Sequence, residues 1–397
     1  MANRICHIVQ SYYPRDPRIR RQAEALAQAG FEVDVVCLRD AKEQARESVN
    51  GVNVRRLPLS RRRGSALRYL FEYIAFFVMA SFVMVLRLPR RYHVIHVSNL
   101  PDFLVFSALA PKLFGARVLL DGHDPMPELF MSKYGVDERS SLIRLIQWQE
   151  RVSVRFANHI LTVSEAMRQH YQPVAGNKPV SVVMNLPDDA LFHPPDSTCV
   201  EHRSDGGFHM LYTGTISKTY GLAMVIESLS RLRDRIPNLR LRIVGEGDDL
   251  PSLRQLARDL GMEDRVEFCG VVPFSRIPEI ISQSDVGIST LKLDVLTNLC
   301  FNNKTAEYVA MGLPAIVTRN DVVEKHFPSG VVRFFEAGDP ESFEKAVVEL
   351  YENPQLREEM SRKGIEFSKT SNWSVEKRKY IDLIASLCAG KTKGGGD

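Results

Sequence analysis

Short β-branched runs alternate with helical patterns along almost the whole chain, and this alternation most limits what it can fold into. Ile5 to Val9, Val33 to Leu38, Val52 to Leu57, Val94 to Ser98, Arg117 to Leu120, His159 to Val163 and Val180 to Met184 read as strands. Their alternation with helical patterns is the signature of parallel βαβ units. The pattern breaks from His193-Pro194-Pro195 to Gly206-Gly207, a linker rich in Pro, Ser, Asp and Gly. It resumes with Met210 to Thr213, Leu239 to Val244, Val266 to Cys269, Val286 to Ser289, Ala315 to Val317 and Val331 to Phe334. The expected class is therefore α/β, with two doubly wound domains. A chain of 397 residues has length for two cores and is long for one. The expected bounds are residues 1–195 and 206–370, a closing helix over 371–389 and a disordered tail over 390–397. Ligands of such sheets gather at the carboxyl ends of the strands, so a cleft between the two domains is the expected site.

Charge and cysteine usage exclude several classes. A net charge of +4 is too mild to argue for nucleic acid, and no basic run is interleaved with aromatics. The six cysteines show no CxxC spacing, so neither a zinc site nor a disulfide framework is indicated, and a reducing cytoplasm fits. Arg4 to Val9 is short, β-rich and followed by a polar loop, unlike a secretory signal. One segment suggests a membrane. Arg61-Arg62-Arg63 precedes an apolar stretch interrupted by Glu72, and the uninterrupted part, Tyr73 to Leu86, falls short of the roughly 20 residues a spanning helix needs. It fits either an interfacial helix beside anionic lipid or a helix buried in the first domain.

The segment FNNKTAEYVAMGLP, Phe301 to Pro314, carries the most chemistry. A helix N-terminus favours phosphate through its unpaired N–H groups and macrodipole; Lys304 adds positive charge, and Asn302 and Asn303 add amide donors. A carboxylate in that setting, Glu307, would repel phosphate unless it accepts hydrogen bonds from neutral groups such as ribose hydroxyls. A nucleotide-sugar offers both. Ordinary dipole complementation explains Glu307 equally well, and Gly312-Leu313-Pro314 is an ordinary helix stop.

This segment resembles that of family-four retaining glycosyltransferases, in which the Glu before Tyr binds the donor ribose and the preceding loop holds the diphosphate. SYYPRDPRIRRQAEALAQAGFEVDVVCLR, HVIHVSNLPDF, VLLDGHDPMPELF, HILTVSEAMRQHY and VVMNLPDDALFHP resemble first-domain segments of the family, although the usual glycine pair of its first loop is absent. YTGTISKTYGLAMVIESL, LRIVGEGDDL and RVEFCGVVPFSRIPEIISQSDVGIS resemble second-domain segments, and Trp373 precedes a helix like the one that crosses back. The resemblance implies the GT-B fold, two Rossmann-like domains facing across a cleft.

The resemblance also implies roles. His123 follows a strand end beside Gly122, which permits close approach by a ligand. The matching family histidine lies beside the transferred sugar; the alternative is a structural histidine satisfied by Asp121 or Asp124. Asp16, Asp124, Ser164 and Asn185 fall on the acceptor side. Glu128 reads as a helix cap rather than a metal ligand. His93 and His96 fall on opposite strand faces, which argues against a shared ion. Donor contacts are expected from Gly214, Thr215, Lys218, Gly245, Gly270, Asn302, Asn303, Lys304 and Glu307. Many relatives carry Arg after the first glycine and Lys before the second, where this chain has Thr215 and Tyr220, so those cationic roles do not carry over.

The expected activity is transfer of a sugar with retention from a nucleotide-diphosphate sugar to a lipid-linked or polysaccharide acceptor. His123, Lys304 and Glu307 are the expected catalytic residues, with no metal or other cofactor. No D-x-D occurs, and Leu299 stands where many members carry a second glutamate, leaving attack on the face of departure as the default. The expected partners are the nucleotide-sugar donor, the lipid-linked acceptor and an anionic membrane surface met through Arg61 to Arg63 and Tyr73 to Leu86. The alternatives are a sugar-nucleotide epimerase and a non-catalytic sugar-nucleotide-binding protein; a dinucleotide dehydrogenase is disfavoured because no G-x-G-x-x-G follows the first strand.

Overall fold

The computed structural model describes residues 2–61, 66–194 and 206–390, with the side chains of 66 and 67 outside the description. Arg62, Arg63, Cys199, residues 195–205 of the linker and residues 391–397 of the tail lie outside the described residues. The chain divides into two units, Met1–Asn185 with Glu376–Asp397, and Leu186–Val375.

The first unit is built on eight strands: β1 (Arg4–Ile8), β2 (Glu32–Leu38), β3 (Arg46–Val49), β4 (Val52–Leu57), β5 (Val94–Ser98), β6 (Arg117–Asp121), β7 (His159–Thr162) and β8 (Val180–Val182). Their order is β3-β4-β2-β1-β5-β6-β7-β8, parallel throughout except for the antiparallel β3–β4 pair. The second unit has β9 (Phe208–Thr213), β10 (Leu239–Val244), β11 (Val266–Gly270), β12 (Val286–Ser289), β13 (Ala315–Thr318) and β14 (Arg333–Phe335), in the parallel order β11-β10-β9-β12-β13-β14. Strand order reverses between β1 and β5 and between β9 and β12, and the crevice at such a reversal is where doubly wound sheets bind ligands.

Residues Leu186–Val375 hold together around the second sheet, so the boundary falls at Asn185 rather than in the Pro-rich stretch. Packing explains this. Phe192 meets Phe274 at 5.5 Å between ring centroids, Pro187 O accepts from Trp373 N at 2.9 Å, and Asp189 accepts from Ser374. The closing helix Trp373–Ala389 rejoins the first unit from Glu376 onward, where Glu376 accepts from Met184 N at 2.8 Å.

The apolar segment after the basic cluster forms a 21-residue helix, Ala66–Leu86, which corrects the expectation of a stretch cut short at Glu72. Glu72 is buried and accepts from Arg68 at 3.2 Å one turn earlier, so its carboxylate is paired without breaking the helix. Arg68–Leu86 is long and apolar enough, by length and composition, to cross a membrane. It is also seated in the domain. Phe76, Ala80, Val83 and Met84 are buried, whereas Leu70, Phe71, Ile74, Val78, Phe82, Val85 and Leu86 form an exposed apolar stripe.

Candidate functional site

In the second unit the site forms at the β9/β12 reversal. The loop leaving β9 begins at Gly214, whose φ of 125° an L side chain rarely adopts. The neighbouring turn Gly245-Glu246-Gly247 lies directly against it: Gly214 N donates to Val244 O and Ile216 N to Glu246 O, each at 2.9 Å. A Cβ on Gly245 would fall 1.9 Å from Gly214 O, and one on Gly247 2.0 Å from Ile216 O. These two glycines are thus explained by backbone meeting backbone. Gly245 N also donates to Gly270 O at 2.8 Å, tying Gly270 into the same layer.

The helix Asn303–Ala310 starts in the same crevice. Tyr308 fixes it there: its hydroxyl accepts from Thr213 N at 2.8 Å and lies 3.0 Å from Thr213 Oγ1, at the end of β9. Asn302 stands at the N-cap position without capping; its amide donates to Ser289 Oγ at 3.2 Å. The helix N-terminus therefore lacks a side-chain cap from its N-cap residue. Asn303 is exposed and Glu307 half-buried, one residue beyond the first turn rather than within it.

Lys304 is buried, with Nζ 4.1 Å from the ring centroids of both Tyr212 and Tyr220. Its chain passes Gly214 closely, Cε lying 3.3 Å from where a Cβ would stand. Burial lowers its pKa to about 7, while Glu307, one turn on, pulls the other way. Tyr220 thus supplies a ring face to Lys304 at the place where the family resemblance implies a lysine. Lys218 is exposed, and so is Thr215, whose carbonyl accepts from Tyr212 Oη at 2.6 Å. The structure brings together Gly214, Lys304, Glu307, Asn302 and Asn303, and leaves Lys218 on the surface.

In the first unit, Asp121 ends β6, buried, with Arg18 Nη1 2.9 Å and His96 Nε2 3.4 Å from Oδ2. Burial pushes its carboxyl up, but Arg18, His96 and His123 outweigh this and hold it well below the usual carboxylate range. His123 follows, its Nδ1 3.8 Å from Asp121 Oδ1, its Nε2 3.6 Å from Asp124 Oδ2, and its backbone N donating to Asn99 Oδ1 at 3.2 Å. Burial and Arg18 lower its pKa against the pull of Asp124 and Asp121, so the ring is neutral at neutral pH. Gly122 needs a correction. A Cβ there would lie 2.7 Å from the Tyr171 ring, so its openness accommodates Tyr171 rather than a ligand.

The other acceptor-side residues have local partners. Asp16 caps the helix Pro17–Gln28 that carries Arg18, Ser164 caps Glu165–Ala175, and Asn185 Oδ1 accepts from Arg21. Sequence reasoning missed Tyr380, on the returning helix: its hydroxyl lies 2.8 Å from His96 Nδ1 and 3.2 Å from His7 Nε2, beneath Asp121. Glu128 sits in the first turn of Met126–Tyr134, as expected of a cap, but also meets His170 at 3.8 Å, with Glu150 3.5 Å from the same nitrogen. The ligand atoms of these three lie within 4.8 Å of one another. Although burial opposes it, Glu150 and Glu128 raise the pKa of His170, which favours its protonated form between the two carboxylates. Burial and Glu150 push nearby Asp102 up to about 8, leaving it protonated at neutral pH.

Residues 16–186 match the family described as "Glycosyl transferase 4-like domain" and residues 207–353 that described as "Glycosyl transferases group 1". This chain belongs to the family-four glycosyltransferases of the GT-B fold. It is a transferase of sugars. It is 22% identical over 282 residues to the N-acetyl-alpha-D-glucosaminyl L-malate synthase of Bacillus anthracis, covering 69% of each chain. Among solved structures it is similar to sucrose-phosphate synthase from Thermosynechococcus elongatus (TM-score 0.80, 18% identity, 98% of this chain and 100% of that one). It is also similar to Anabaena Alr3699/HepE in complex with UDP-glucose (TM-score 0.72, 16% identity, 96% and 99%).

Proposed function

We propose that this glycosyltransferase transfers a sugar with retention from a nucleotide-diphosphate sugar, without a metal or other cofactor, to a lipid-linked saccharide. The observation that carries this reading is Lys304, buried between two tyrosines beside Gly214 and an uncapped helix N-terminus. A cation and unpaired N–H groups at one point oppose the negative charge that develops on a departing diphosphate. Glu307, half-buried on the same helix, accepts from the donor ribose. His123, neutral and set against Asp121 and Asp124, contacts the transferred sugar, the role the family resemblance gives it. With Leu299 in place of a second carboxylate, the acceptor attacks on the face from which the diphosphate departs.

UDP-glucose in the Anabaena complex supports a nucleotide-sugar donor, and family membership favours neither the epimerase nor the non-catalytic reading. The exposed stripe on Ala66–Leu86 supports a membrane-borne acceptor and a peripheral position on an anionic cytoplasmic membrane face. Arg61 can contribute only in part, since its guanidinium donates to Gln10 O at 3.1 Å. The test is a panel of UDP-, GDP- and dTDP-sugars screened for thermal stabilisation, followed by transfer assays with the stabilising donor in EDTA. Activity is expected to persist in EDTA; loss on chelation with recovery by a divalent ion would overturn the metal-independent mechanism.

A further inference from the structure

A cavity of about 430 Å³ opens in the first unit among the helices Ala66–Leu86, Met126–Tyr134 and Ser141–Phe156. Tyr73, Phe103, Met126, Leu129, Phe130 and Ile146 are among its lining side chains, and its wall is overwhelmingly apolar. Such a wall holds water poorly because it offers few hydrogen-bond partners. Three further lining residues, Leu70, Leu142 and Leu145, are 49%, 45% and 59% exposed, so the lining runs out onto the apolar surface of the same unit. That surface continues along Phe71, Ile74, Val78 and Phe82 on one helix and to Trp148 on another. Contiguous exposed apolar area of this kind marks an interaction site rather than ordinary scatter. The route into the cavity thus starts from a surface suited to hydrocarbon.

One cation stands in the lining. Lys133 is exposed, 5.5 Å from the ring centroids of Tyr69 and Tyr134, with no carboxylate within ion-pair distance among the described residues. An apolar cavity with one such cation on its wall fits an amphiphile with a hydrocarbon chain and an anionic head. The helix carrying Lys133 begins at Met126, just after the His123-Asp124 turn, and Met126 itself lines the cavity. From Met126 to Lys133 the helix rises about 10 Å.

We infer that this cavity binds the hydrocarbon chain of a lipid phosphate, with Lys133 holding the phosphate. The inference rests on the lipid-linked acceptor proposed above and names its chemical class. Cavity binding and surface docking can be separated by substitution, because Phe82 belongs to the exposed stripe but not to the cavity lining.

The experiment uses the full chain, with farnesyl phosphate and farnesol as probes in a fluorescence-displacement assay, and co-sedimentation with anionic vesicles in parallel. Wild type is expected to bind farnesyl phosphate at least tenfold more tightly than farnesol. Leu145→Glu, at a 59% exposed position and in a variant confirmed as folded by its melting transition, is expected to weaken farnesyl phosphate at least tenfold, and Lys133→Ser to abolish the preference for phosphate over farnesol. Phe82→Glu is expected to keep farnesyl phosphate binding but to lose most vesicle pelleting. No farnesyl phosphate binding by wild type, or undiminished binding by Leu145→Glu, overturns the cavity assignment. If vesicle pelleting survives that result, the membrane-borne acceptor stands and only the cavity is lost; if wild type neither pellets nor binds the probe, both fall.

Discussion

Lys304 shows how a residue visible in the sequence acquires its chemistry only from the fold. Its place at a helix start and its charge were legible, as was Glu307 beyond it. The two rings that enclose it were not, because Tyr212 and Tyr220 come from a strand and loop far back in the chain. Burial holds its pKa at about 7 against an ordinary lysine value of 10.5. Between those values the unfolded chain binds the extra proton, so stability rises with pH across the window, and the cost of burying the cation is fully present below pH 7. Each pKa unit is worth about 1.4 kcal/mol, which over this shift exceeds the roughly 2 kcal/mol a desolvated cation–π contact returns. Lys304→Met is therefore expected to melt higher than wild type at pH 6 without nucleotide, with the gain shrinking toward pH 10; a lower melting point at pH 6 would contradict the buried charge. Beside His123, the openness of Gly122 was not legible, since nothing in the sequence says that Tyr171 packs against that backbone. If His123 acts beside the transferred sugar, His123→Ala is expected to depress kcat more than donor affinity, since such a contact matters chiefly in the transition state. Unchanged turnover in a folded variant would leave it a structural histidine.

At the scale of elements, periodicity was reliable where strands are apolar and weak where they are not. β5, β10 and β12 fall where the β-branched runs place them, whereas β3, with the sequence Arg-Glu-Ser-Val, is an edge strand whose charged side chains hide it. In the sequence Glu72 reads as an interruption of the long helix Ala66–Leu86; pairing with Arg68 removes that penalty. The Asn303–Ala310 helix is positioned by Tyr308, a residue whose spacing suggests only core. Tyr308→Phe leaves Thr213 N without its buried acceptor, a loss of about 1–3 kcal/mol. Reduced stability together with weakened nucleotide binding is expected from calorimetry and melting. Reduced stability with intact binding would show that the helix keeps its place without this contact.

For the whole molecule, the two-unit α/β plan was legible because alternation and a compositional break are properties of long stretches, whereas the return of the closing helix to the first unit from Glu376 onward rests on packing between residues hundreds of positions apart, as in Tyr380 with His7 and His96. The proposed donor is a nucleotide-diphosphate sugar whose diphosphate meets Lys304 and whose ribose meets Glu307. Calorimetric titration of the matching nucleoside diphosphate and monophosphate into wild type, Lys304→Met and Glu307→Gln tests it directly. Wild type should prefer the diphosphate, with that preference fading above pH 7 as Lys304 loses its proton; Lys304→Met should lose the preference, and Glu307→Gln should weaken both nucleotides alike by about 1.5–3 kcal/mol. A Lys304→Met protein that is folded and still selects the diphosphate as wild type does would contradict this assignment.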